Sequence, residues 1–212
     1  AKLPSAFHGE LDCLFFDLQY VEDRIVETGE RGFFFPRETP TRGLASLIYF
    51  NEIDPLLDLA SLMVSRAHLG NEMNIIGSLD HGENSPYFAL PSAEYLFRDT
   101  SPNADPSLWP VSPTEPDFII DGVVLGQWIF GLDPRNMKGA GSRNRIQNHK
   151  NGALFEHPLE RLRFQMLERP NFELYCSIDG GSPLRINSLH VHSKTHRKLS
   201  IRKIRVILKR LN

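Results

Sequence analysis

The sequence predicts an α/β fold: a mixed sheet flanked by helices, closed by a basic amphipathic helix at the C-terminus. Three observations carry that expectation. Short apolar, β-branched and aromatic runs alternate with helix-period segments along the chain. The 212 residues are 41% hydrophobic and 24% charged, an ordinary composition with enough chain to bury a core. No apolar run reaches the roughly 18 residues that a spanning helix needs.

The elements follow in order. "SAFHGELDCLFFDL" is a strand-like apolar run interrupted by acids, and "LQYVEDRIVETG" is a short helix ending near Gly29. "GFFFP" and "GLASLIYF" are strands. "NEIDP" turns into a helix over "LLDLASLMVSRAHLG", which stops at Gly70. "NEMNIIGSL" starts a further helix on Asn and an acid. "YFALPSAEYLF" is a strand entering a loop. Residues 99–117 hold five prolines and read either as a linker or, inside one compact domain, as a functional loop, with Trp109 placed to close over a ligand. "FIIDGVVLGQWIFG" is an amphipathic helix beginning near Asp121, and the basic stretch "LDPRNMKGAGSRNRIQN" is turn-rich and exposed. "FELYCSIDGGSPLRINSLHVHS" is a hairpin about an Asp-Gly-Gly turn.

Charge and cysteine usage narrow the function. The net charge of −2 conceals a tail, residues 194–212, with eight Lys and Arg and no acid, leaving 16 basic against 26 acidic residues in the rest. Ile201, Ile204, Leu208 and Leu211 repeat at helical spacing in that tail. It reads either as a helix for an anionic membrane surface or as a last helix docked on the body. The basic residues lack interleaved aromatics, so no nucleic-acid partner is expected. The N-terminus lacks the regions of a signal peptide. Cys13 and Cys176 stand far apart without a CxxC, which fits a reducing, cytoplasmic setting. The organisation expected is one domain over 1–193 and the basic tail over 194–212.

Two short stretches carry chemistry. In "INSLHVHSK", alternation by two puts His190, His192 and Lys194 on one face of a strand. That face is a solvated edge or a metal or phosphate site. In "GELDCLFF", Glu10 and Asp12 share a face within an apolar run. Either the strand ends near Gly9 and both acids are solvated, or a divalent cation relieves their repulsion. Oxygen ligands with an imidazole suit Mn2+ or Mg2+, which bridge phosphates.

In this order the motifs resemble a GT-A-fold glycosyltransferase, of the glycogenin-like and bacterial surface-polysaccharide type. The resemblance rests on "ELD" at 10–12, "ASLIYFN" at 45–51, "NEMNII" at 71–76, "ALP" at 89–91, "DGVVLGQWIFGLDPRN" at 121–136 and "HVHSK" at 190–194. The metal motif is Glu-x-Asp in place of Asp-x-Asp, and the lysine motif lacks its glycine. The resemblance implies that the N-terminal nucleotide-binding half, built of units of about 30 residues, is missing here.

It further implies a metal-dependent transfer of sugar from a nucleotide diphosphate-sugar to a hydroxyl of a carbohydrate or lipid-linked acceptor. Glu10, Asp12, His190 and His192 would hold the ion, and Lys194 would hold the diphosphate. Glu72 and Asp121 would stand beside the anomeric carbon as base or charge stabiliser. The chain would lie in the cytoplasm, peripheral at the inner face of the membrane. Two alternatives use the same residues differently: a metal-dependent phosphohydrolase, and a non-catalytic module tethered to a membrane or glycan.

Overall fold

The computed structural model describes residues 5–10, 12–39, 41–79, 85–98, 115–122, 124–130, 161–167, 172–191 and 200–209. The chain starts with β1 (Ala6–Gly9) and β2 (Cys13–Phe15), separated by the acid-bearing link that follows Gly9. Helix α1 (Leu18–Thr28) begins on Asp17, whose side chain accepts the Tyr20 N–H at 3.0 Å, and ends on Gly29 at φ 74°. Val21 and Ile25, four apart on one face, are buried.

Strands β3 (Phe33–Thr39), β4 (Arg42–Gly43) and β5 (Leu47–Phe50) follow, then α2 (Asp54–Ser65), with a proline in its first turn. Helix α3 (Glu72–Gly77) is capped by the Asn71 side chain, which accepts the Asn74 N–H at 3.0 Å. Next come β6 (Tyr87–Leu90), β7 (Phe118–Ile120), α4 (Val124–Phe130), β8 (Leu162–Leu167), β9 (Glu173–Ile178), β10 (Leu184–His190) and α5 (Ile201–Lys209).

The strands form two five-stranded mixed sheets. The first has the order β1-β5-β3-β4, with β6 beside β3; the second has the order β2-β10-β9-β8, with β7 beside β10. The β3–β6 and β7–β10 pairs are parallel and the others antiparallel. A parallel bridge between Ser92 and Ile120, with the Ile120 N–H on the Pro91 carbonyl at 2.8 Å, stitches the end of β6 to β7. The centre is therefore a parallel run β3, β6, β7, β10, with antiparallel strands outside it. Phe118 and Ile120 of one sheet pack with Phe34, Leu47, Tyr49 and Leu90 of the other, so the core crosses the seam.

Three expectations change. Antiparallel pairing is more extensive than the alternation of strands and helices suggests: β8, β9 and β10 follow one another through short links, and β1 and β2 pair with the distant β5 and β10. "FII" at 118–120 is strand, not helix, and the helix begins at Val124. The β1 strand stops at Gly9, so Glu10 and Asp12 lie in a link, not on one face of a strand. Most of the Pro-rich segment, residues 99–114 with Trp109, and the basic stretch within 131–150 lie outside the described residues.

Helix α5 carries Arg202, Lys203, Arg205 and Lys209. It buries Ile204 and Leu208 in the same cluster as Leu125, Trp128 and Leu189. Burying two such side chains contributes about 1.5–3 kcal/mol each. Helix α5 docks on the body through these two residues, while Ile201 and Val206 remain half exposed. No helix among the described residues is long and apolar enough to cross a membrane.

Candidate metal centre

The link between β1 and β2 carries the chain from one sheet to the other. Its turn is closed by the Cys13 N–H on the Glu10 carbonyl at 3.2 Å, and it is tied to the first sheet by the Glu10 N–H on the Ser46 carbonyl at 3.4 Å. On its other side β2 pairs with β10: Cys13 lies opposite His190, and the Val191 N–H reaches the Asp12 carbonyl at 2.8 Å. Directly opposed residues of antiparallel strands share a face. The pairing therefore delivers His190 to the acidic link.

The result is a cluster of Glu10, Asp12, Cys13 and His190, whose ligand atoms all lie within 4.8 Å of one another. His190 Nε2 is 3.2 Å from Asp12 Oδ1 and 3.6 Å from Glu10 Oε2. The imidazole is buried, and the two carboxylates are roughly a third exposed, so the cluster opens to solvent on its acidic side.

The other ring nitrogen fixes the chemistry. His190 Nδ1 contacts the Gly122 carbonyl oxygen, which can only accept. Nδ1 therefore carries a proton, and Nε2 faces the carboxylates. If Nε2 is unprotonated, its lone pair and the two carboxylates repel one another. Either a proton on Nε2 or a cation among the three relieves that repulsion. A histidine held through its remote nitrogen by a carbonyl is the usual support of a metal-ligating imidazole.

Asp121 stands behind this arrangement. It is wholly buried. Its Oδ1 accepts the Leu125 N–H at 2.8 Å, and its Oδ2 accepts the Gly126 N–H at 2.6 Å and the His190 N–H at 3.1 Å. It satisfies free donors in the first turn of α4 and pins the end of β10 to them. Burial pushes its carboxyl up to about 6, against the lowering effect of the three N–H donors and His190. Gly126 lies against the His190 carbonyl, where a Cβ would overlap the main chain.

The link concentrates negative charge. Burial is the main cause that raises Glu10; the nearby charges of Asp12 and Glu72 raise it further, while His190 and His8 draw it down. Burial, followed by the carboxylates of Glu10, Asp12 and Asp121, holds the Cys13 thiol far above the ordinary thiol range.

The structure thus brings Glu10, Asp12 and His190 together. Glu72, exposed at the start of α3, stands near enough for its charge to act on Glu10. Asp121 is enclosed beneath the cluster, where its carboxylate holds the main chain of His190 and the start of α4. His192 and Lys194 lie outside the described residues. Two participants escape a reading of the sequence. Cys13 adjoins the acidic motif in "ELDC", and its opposition to His190 depends on a pairing across nearly the whole chain. Gly122 acts through its carbonyl, which leaves no mark on residue type. No protein family, no curated protein and no solved structure matches this chain.

Proposed function

We propose that the chain is a metal-dependent glycosyltransferase that moves a sugar from a nucleotide diphosphate-sugar to an acceptor hydroxyl. The observation that carries this reading is the approach of His190 Nε2 to Asp12 and Glu10 at 3.2 and 3.6 Å. The early acidic motif and His190 of the late histidine motif lie side by side, which supports a shared ion of the kind the resemblance implies. The central parallel run β3, β6, β7, β10 is compatible with a GT-A-like sheet and is the finer fold reading that this proposal includes.

In this reading Asp12, Glu10 and His190 hold Mn2+ or Mg2+, which supplies Lewis-acid neutralisation of the diphosphate. Lys194, four residues beyond His190, adds positive charge to the same phosphates, and His192 stands in the same segment. Glu72, exposed at the rim, accepts the proton of the acceptor hydroxyl as its oxygen bonds to the anomeric carbon. The bond from that carbon to the diphosphate oxygen breaks, and its electron pair leaves with the diphosphate. Asp121 and Gly122 keep the imidazole oriented.

A cleft of about 510 Å3, lined by Leu14, Phe15, Phe16, Asp17, Phe172, Ile201 and Ile204, lies where β2 meets α5. The cleft mixes aromatic and aliphatic side chains with polar surface, and the exposed Arg202, Lys203 and Lys209 of α5 favour a lipid-linked acceptor at an anionic bilayer. Each basic residue near such a surface adds about 1 kcal/mol of attraction. Reversing Arg202 and Lys203 to Glu should abolish co-sedimentation with anionic vesicles at low salt.

Calorimetry with Mn2+ tests the centre: Asp12→Asn should abolish binding and leave the circular dichroism spectrum unchanged. Incubation with nucleotide diphosphate-sugars and acceptors tests the reaction. Transfer that depends on Asp12 supports it. Release of phosphate from nucleotide substrates without sugar transfer makes the chain a phosphohydrolase, which the solvent-facing carboxylates would also allow. Metal-independent glycan or vesicle binding alone makes it a tethering module.

A further inference from the structure

We propose that Cys13 is a fourth protein ligand of this centre and turns its preference from Mg2+ toward thiophilic ions, Zn2+ foremost. The inference rests on the metal-centre reading above and adds to it the identity of the ion. The thiol is no bystander in position. Cys13 is the residue paired with His190 across the β2–β10 ladder, so both side chains leave the sheet on the same face. Its sulfur lies within the same 4.8 Å envelope as the two carboxylates and the imidazole. Cys13 is buried, at 8% exposure, on the inner side of a cluster whose carboxylates face solvent.

The donor set is therefore one sulfur, one imidazole nitrogen and two carboxylate oxygens, converging from one link and one strand end. Softness decides between ions. Mg2+ takes oxygen donors and keeps its waters, whereas thiolate and imidazole together favour Zn2+ and its neighbours in the first transition row. A metal-bound thiol gives up its proton to solvent on binding, so the ion meets a thiolate. The remaining open side, between the exposed carboxylates, leaves room for a water or a phosphate oxygen. Cys176 is the second thiol of the chain and pairs with Leu184 at the far end of β10. A sulfur signal from the centre therefore belongs to Cys13.

Cobalt substitution reads this directly. Co2+ added to the intact chain should give the ultraviolet charge-transfer band of a cobalt–thiolate bond along with its visible bands. Cys13→Ser should lose the ultraviolet band, keep the visible ones, and bind Zn2+ weaker by roughly 100-fold or more, the scale on which metal sites respond to loss of a group. Mn2+ affinity should change little. Zn2+ should also displace Mg2+ from the unaltered chain, a measurement that needs no variant to fold. Co2+ or Mn2+ binding without a thiolate band overturns the role of Cys13 and leaves the three-residue centre standing. Absence of binding by any of the four ions overturns both.

Discussion

Asp121 Oδ2 accepts the main-chain N–H of His190 at 3.1 Å, so a buried carboxylate in the β7–α4 turn holds the last residue of β10. The same oxygen holds Gly126 and its companion holds Leu125. Asp121→Asn keeps the shape but turns an –NH2 group against one of these N–H donors. One unsatisfied buried donor costs about 1–3 kcal/mol. The variant should unfold at lower urea and bind metal about 10- to 100-fold weaker, as loss of a supporting group does. Urea melts and calorimetry check this; unchanged metal affinity would show that the pin does not orient His190.

The same carboxyl gives a pH dependence. Its ordinary value is 3.8 and the fold raises it to about 6, with burial as the largest cause. Between those values the folded chain holds a proton that the unfolded chain has lost. The contribution of Asp121 is therefore greatest in acid and declines as pH rises from about 4 to about 6. The stability difference between the parent and Asp121→Asn should fall over that window and then level. A flat difference would mean that the carboxyl titrates normally.

Gly126 sits where any side chain would enter the His190 main chain. Gly126→Ala has to push α4 away from β10. Overpacking of this kind costs about 1–3 kcal/mol. Thermal unfolding should come at lower temperature, and metal binding should weaken with it, because the Gly122 carbonyl moves with the helix start. Retained affinity in a destabilised variant would separate packing from ligand orientation.

Arg185 is nearly buried between Asp17 at 2.9 Å and Glu173 at 3.1 Å, with its guanidinium over the Tyr20 ring at 4.2 Å. Removing it strands two acids in a part-buried setting, and breaking such pairs costs about 3–5 kcal/mol when they are fully enclosed. Here the acids are 26–31% exposed, so Arg185→Ala should lose less, about 1–3 kcal/mol after solvent screening. Arg185→Lys should recover only part, since one ammonium does not span both carboxylates and the ring. Denaturant midpoints measure both.

Leu208 is 3% exposed in the core cluster. Leu208→Ala should destabilise the chain by about 2–5 kcal/mol. Truncation before Ile201 should do at least as much. A truncated chain with parental stability would instead make α5 a detachable membrane segment.

Local signals make much of this architecture legible. The α1 helix is marked by the Asp17 start and Gly29 stop, and the β9–β10 hairpin by Asp179-Gly180-Gly181, with Asp179 and Gly180 at positive φ. The proximity of β2 and β10 leaves no local trace; only the chemistry of Glu10, Asp12 and His190 hints that distant segments meet. Strand β8 escapes notice although Leu162 and Phe164 alternate with Arg163 and Gln165, which are exposed. Its partner β9 supplies the context that six residues alone lack. The enclosure of Asp121 is equally hidden in the sequence, because its three donors belong to residues 125, 126 and 190.

The pairing of β2 with β10 also sets a timetable. A ribosome releases the chain N-terminal end first, and the strands of the first sheet, β1 and β3–β6, are complete before the second sheet has more than β2. The apolar "CLFF" run then waits, its own partner unmade, until residues 184–190 leave the exit tunnel. Any ion would meet Glu10 and Asp12 first and His190 last. On the proposed reading, capture of a metal waits for the pairing of β2 with β10, and a nascent chain stalled short of His190 should bind the ion more weakly than the folded chain.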